Sequence, residues 1–210
     1  VTRAAFLSAA VDADVVHENG IDAGSVEGYL FPETYFFPKN TAAREVIETM
    51  VDRLQTVFTE TWKKRAADIG LSVHQVLTLA SIIEKETGDP AERPLIASVF
   101  HNRLGRRMKL QSDPTVIYGS ENFSGPLTKK DLKTPTPYNT YTISGLPPGP
   151  ICSPGVASID AVLYPRPDTH DFFFVSNGDG THSFSRTFDE HIRARNRASR
   201  AEEGPTDREF

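Results

Sequence analysis

The sequence predicts an α+β fold: a helical layer packed on a small, mainly antiparallel sheet, with a long proline-rich stretch lining a cleft. Three observations carry this. Residues 41–105 place apolar side chains at helical spacing, interrupted by Gly70 and by Gly88-Asp89-Pro90. Residues 108–155 hold eight prolines, and a stiff irregular stretch of that length inside a globular chain usually serves function. Phe172-Phe173-Phe174-Val175 reads as a buried strand, and Asn177-Gly178-Asp179-Gly180 is a hairpin turn leading to a return strand over residues 181–184.

The elements follow in order. Residues 6–16 read as a short helix ending near Asn19-Gly20. Residues 27–38 are aromatic and contain two prolines, which exclude a central strand or helix and leave an extended segment or turns. Thr41 opens a long helix to Ile69 through Ile47, Met50, Val51, Leu54, Phe58 and Trp62, with Gly70 just past its end. Ser72 and Gln75 form a capping box for a helix that runs to about Thr87. Asp89-Pro90 starts a third helix that reaches Leu104-Gly105. Thr187 and Glu190 form a second capping box and open a terminal helix.

Three segments are expected: residues 1–25 as the remnant of an upstream helical or linker segment, 26–200 as one folded domain, and 201–210 as a frayed tail. The chain of 210 residues is 38% hydrophobic and 24% charged, a globular balance. A net charge of -5 argues against phosphate-driven nucleic-acid binding. The basic run over 186–200 reads as a solvated helix face. One cysteine, Cys152, excludes an internal disulfide and a thiolate metal cluster. The histidines lack metal-ligand spacing, so no metal and no cofactor are expected. No apolar run reaches the length of a membrane span, and no signal peptide is visible.

One carboxylate stands out. On the helix that begins at Val73, the residues Val73, Val76, Leu77, Ala80 and Ile83 form one stripe, and Glu84 falls inside it. Glu86 falls outside. A carboxyl on an apolar face meets a low dielectric that favours its protonated form, as a general acid requires. The plainer alternative is a helix-end Glu turned to water or paired with Lys85 or Arg93. Two weaker constellations offer polar groups suited to sugars. Gln111, Ser112 and Asp113 lie in a turn before Pro114, and Tyr138, Asn139, Thr140 and Tyr141 set hydrogen-bonding groups between two aromatics.

Taken together, these motifs give the chain a family likeness. Residues 80–87 (Ala80-Ser81-Ile82-Ile83-Glu84-Lys85-Glu86-Thr87) resemble the catalytic motif of the YceG-like endolytic murein transglycosylases. The likeness continues through Val99-Phe100-His101-Asn102-Arg103-Leu104, Leu110-Gln111-Ser112-Asp113-Pro114-Thr115-Val116, Pro137-Tyr138-Asn139-Thr140-Tyr141 and Gly145-Leu146-Pro147-Pro148-Gly149-Pro150-Ile151. It also takes in residues 27–35 and 174–182, so it spans about residues 27–191, in order. Arg107 departs from the usual Gly, Ser153 from Asn, and Ile192 from Asn.

The resemblance implies cleavage of the β-1,4 bond between N-acetylmuramic acid and N-acetylglucosamine, leaving a 1,6-anhydro end. It places the single acid/base on Glu84. Gln111, Ser112, Asp113, Tyr138, Asn139, Thr140 and Glu86 are the expected substrate-binding residues. It further implies an N-terminal membrane anchor outside this sequence, an extracytoplasmic location, peptidoglycan as partner, and contact with wall-synthesis machinery. Two alternatives stay open: a water-using muramidase with Asp113 or Glu86 as second carboxylate, and a non-catalytic glycan-binding module.

Overall fold

A computed structural model describes residues 1–121 and 123–202. Two short helices open the chain, α1 (Arg3–Ala10) and α2 (Ala13–Glu18), where the sequence suggested one. The break lies at Asp12, whose carboxylate accepts from the backbone N–H groups of Asp14 and Val15 and so starts a new helix. The helix expected over 41–69 is likewise two, α3 (Ala43–Val57) and α4 (Glu60–Asp68). Thr59 Oγ1 accepts from Trp62 N–H at 3.4 Å and caps α4, while Phe58 buries its ring edge-on against Trp62. Thr41 does not cap: its hydroxyl donates to the Pro38 carbonyl, and Ala42 stands at the N-cap. Gly70 ends α4 at φ +74°, with Leu71 N–H reaching back to the Ala66 carbonyl.

Helix α5 (Val73–Glu86) is the spine of the molecule. Both halves of its Ser72–Gln75 capping box form, and every residue from Val76 to Ile83 is buried. It meets α4 at 89°, and no single helix among the described residues is long and apolar enough to cross a membrane. Helix α6 (Arg93–Gly105) begins later than expected, because the Asp89 carboxylate accepts from Ala91 N–H in a preceding turn. Two helices inside or beside the proline-rich stretch went unpredicted: α7 (Asp113–Tyr118) and α8 (Val156–Leu163). Leu77, Leu79, Ile82 and Ile83 of α5 pack with Ile96 and Phe100 of α6 and Ile159, Val162 and Leu163 of α8 in the main core. Each such side chain contributes about 1.5–3 kcal/mol by leaving water.

The strands β1 (Phe173–Ser176) and β2 (His182–Ser185) form an antiparallel hairpin with Phe174 opposite Phe184. Phe174 meets Phe100 edge-on at 5.7 Å, which fixes the hairpin on α6. Thr187 and Glu190 cap α9 (Phe188–Glu202) reciprocally, as expected. The tail expected to fray lies largely outside the described residues. At the other end, Val15, Val16, Ile21 and Val26 form a second cluster with Ile47 and Val51 of α3.

Candidate active site

The last turn of α5 sends two carboxylates in different directions. Glu84 points to the start of α8. Its Oε2 accepts from Ser158 Oγ at 2.6 Å and from Gly155 N–H at 3.1 Å, and Arg93 Nη2 lies 3.5 Å from Oε1. The carboxylate therefore sits on the N-terminus of α8, where exposed N–H groups and the helix dipole favour negative charge. The side chain remains 30% exposed, so the apolar pocket that the helical stripe suggested is not what surrounds it. The ion pair with Arg93, the plainer alternative, is the one that forms.

Glu86 lines a cavity of about 480 Å³, together with Arg103, Gln111, Asp113, Tyr141 and His182. Burial pushes its carboxyl from 4.5 up to about 7; Asp113 adds to the rise, and the Ser112 hydroxyl and Arg103 oppose it. Ser112 Oγ donates to Glu86 Oε1 at 2.5 Å, which fixes the carboxyl's orientation. Tyr141 donates to Asp113 Oδ1 at 2.6 Å on the same wall. Arg103 is buried and donates to the Phe172 and Leu110 carbonyls, holding the hairpin and the loop before α7 together.

The other expected site residues fall into three positions. Gln111 and Asp113 face the cavity with Glu86. Gln111 holds a left-handed backbone at φ +48°, a conformation a non-glycine residue keeps only where its surroundings impose it. Ser112, Asn139 and Thr140 are buried behind the wall. Asn139 donates to the carbonyls of Asp131, Leu132 and Thr134, and Thr140 Oγ1 accepts from Ser112 N–H, so these two side chains shape the cleft without facing it. Tyr138 packs on Tyr118 at 4.7 Å and lines a separate hollow with Glu27 and His74. Arg103, Tyr141 and His182 are additional cavity residues that periodicity had no means of finding. Among the described residues no cluster of His, Cys, Asp or Glu could hold a metal ion.

Against known proteins, the family model described as YceG-like matches residues 3–197. The chain belongs to the YceG-like family. It is 41% identical over 172 residues to an endolytic murein transglycosylase of Bacillus subtilis, covering 81% of this chain and 47% of that protein. It is 31% identical over 176 residues to an endolytic murein transglycosylase of Streptococcus pneumoniae, covering 80% and 31% respectively. The chain thus spans half or less of the length of these relatives. A crystal structure of a YceG-like protein from Listeria monocytogenes superposes with a TM-score of 0.81 at 34% identity, covering 92% of this chain and 67% of that one. In this chain Glu86 lines the cavity, and Glu84 is turned to the start of α8.

Proposed function

We propose that the protein is an endolytic peptidoglycan lytic transglycosylase that cleaves the MurNAc-β-1,4-GlcNAc bond and leaves a 1,6-anhydroMurNAc end. Glu86, in place of the Glu84 on which both the helical stripe and the resemblance placed the role, is its single acid/base. The observation that carries this is the position of Glu86: a half-buried carboxyl, raised to about 7, in the lining of the cavity. Glu84 already has its oxygens engaged by α8 and Arg93 and acts as a structural clamp. The transglycosylase names of two relatives support the reaction class.

The chemistry follows from one carboxyl used twice. Protonated Glu86 donates to the glycosidic oxygen as the C1–O bond breaks. The muramic N-acetyl carbonyl stabilises the cation that forms. Glu86, now a carboxylate held by the Ser112 hydroxyl, takes the proton from the C6 hydroxyl as that oxygen bonds C1. No water is consumed and the acid is restored. Gln111 and Asp113 position the sugar from the same cavity.

On this reading the enzyme works outside the cytoplasmic membrane on glycan strands, held there by an N-terminal anchor and meeting the wall-synthesis machinery. Mass spectrometry of digested peptidoglycan tests the reaction. Anhydro ends are expected; hydrated reducing ends would make it a muramidase, and sugar binding without fragments would make it a binding module.

A further inference from the structure

The cavity holds a second polar group with a support of its own. His182 opens β2 and lines the cavity wall. Its Nδ1 lies 2.6 Å from Glu92 Oε2, and its backbone N–H donates to Glu92 Oε1 at 2.8 Å. The two side chains are only 10% and 11% exposed. Glu92 stands at the N-cap of α6, and Phe174 meets the imidazole edge-on at 5.5 Å. The ring is therefore fixed by a carboxylate on one side and an aromatic on another. An ionised carboxylate only accepts, so Nδ1 carries the proton of this bond. That leaves Nε2 as the polar atom of the ring with no hydrogen-bond partner among the described residues, on a side chain that borders the cavity. In the neutral ring Nε2 is a lone-pair acceptor.

We propose that His182 is a substrate-contacting residue of this cleft, its Nε2 accepting a hydrogen bond from a sugar hydroxyl, and that Glu92 is the positioning residue that sets its tautomer and ring plane. This rests on the reading of the cavity as the glycan site. An acid lining the cavity is effective only if the sugar is held against it, and a fixed acceptor in the same lining supplies such a restraint. The competing role is purely mechanical: a tie between the hairpin and the start of α6.

Two substitutions separate the roles, because Asn and Gln each keep a different half of the imidazole. His182→Asn keeps a donor near the Nδ1 position for Glu92 and removes the acceptor on the cavity side. His182→Gln keeps an acceptor near the Nε2 position and loses the tie. Both are made in the intact protein. Thermal unfolding, binding of the N-acetylglucosamine tetramer by isothermal titration, and kcat and KM on purified glycan strands are then measured.

The proposal expects His182→Asn to melt near wild type but to bind the tetramer about tenfold more weakly, the size of one lost hydrogen bond. It expects His182→Gln to melt lower while keeping binding near wild type, and Glu92→Gln to raise KM more than it lowers kcat. Unchanged tetramer binding by a folded His182→Asn protein overturns the proposal while leaving the transglycosylase reading intact. Tetramer binding sensitive to His182→Asn, in a wild type that releases no anhydro ends, supports the contact and removes the reaction. A wild type that neither binds the tetramer nor releases anhydro ends overturns both; in one that releases them without binding the tetramer, a KM on glycan strands unchanged by His182→Asn overturns the proposal alone.

Discussion

Glu84 and Glu86 stand two residues apart on α5 and serve opposite sides of it: Glu84 accepts from Ser158 and Gly155 at the start of α8, and Glu86 faces the cavity beneath Ser112. Two steps along a helix turn about 200°, so one helix end contacts both the core and the cleft. The first prediction concerns the core side. Glu84→Ala leaves the buried Ser158 hydroxyl and the Gly155 N–H without their acceptor and should cost about 2 kcal/mol. Glu84→Gln keeps an acceptor oxygen but loses the charge at the helix N-terminus and should cost about 1 kcal/mol. Urea unfolding midpoints check both.

Glu86 makes stability depend on pH. Its folded value, about 7, lies above the ordinary 4.5, so the folded chain holds the proton more tightly than the unfolded chain. The stability from that proton is full below the ordinary value and is lost as pH rises through the folded value. Replacing Glu86 by Gln removes this loss. The Tm of Glu86→Gln relative to wild type should therefore rise between pH 5 and pH 8; a difference that stays flat would show that the carboxyl is not desolvated. Turnover that needs protonated Glu86 should decline over the same window, with kcat/KM falling as pH passes about 7.

Arg107 occupies a left-handed backbone position, φ +55°, just past the end of α6. Glycine adopts such a backbone freely, whereas an arginine pays for its Cβ. Arg107→Gly should stabilise the chain by about 1 kcal/mol without touching the cavity. Differential scanning calorimetry gives the answer directly.

Gly28 binds the N-terminal aromatic segment to the proline-rich stretch. Its φ is +85°, and a Cβ there would lie 2.2 Å from Pro150 Cγ. Gly28→Ala combines a disfavoured backbone with a clash against a rigid ring and should cost about 3 kcal/mol. Chemical denaturation checks the size, and a near-neutral result would mean the two segments separate readily.

Local chemistry made much of this fold legible. Ser72 with Gln75, Thr187 with Glu190, Gly70, and Asn177-Gly178 mark their boundaries by side-chain and backbone preferences that hold wherever they occur. Helix breaks at Asp12 and Thr59 were hidden inside continuous apolar spacing, because a cap needs only one side-chain oxygen. Helix α8 is only eight residues long, about two turns, too short for its apolar spacing to stand out beside the proline-rich stretch. The same limit governs the site. On a helix buried nearly all round, a wheel gives the angles of Glu84 and Glu86 but not which neighbour leaves space beside them. That space is set by Arg103, Gln111, Tyr141 and the hairpin, which come from distant parts of the chain.

The most direct test of the central claim is muropeptide mass spectrometry of peptidoglycan digested by the wild type, Glu86→Gln and Glu84→Gln, each first shown to be folded. The account predicts anhydro-muropeptides from the wild type and from Glu84→Gln, and none from Glu86→Gln. Anhydro products from Glu86→Gln together with a folded but inactive Glu84→Gln would contradict it and return the acid/base role to Glu84.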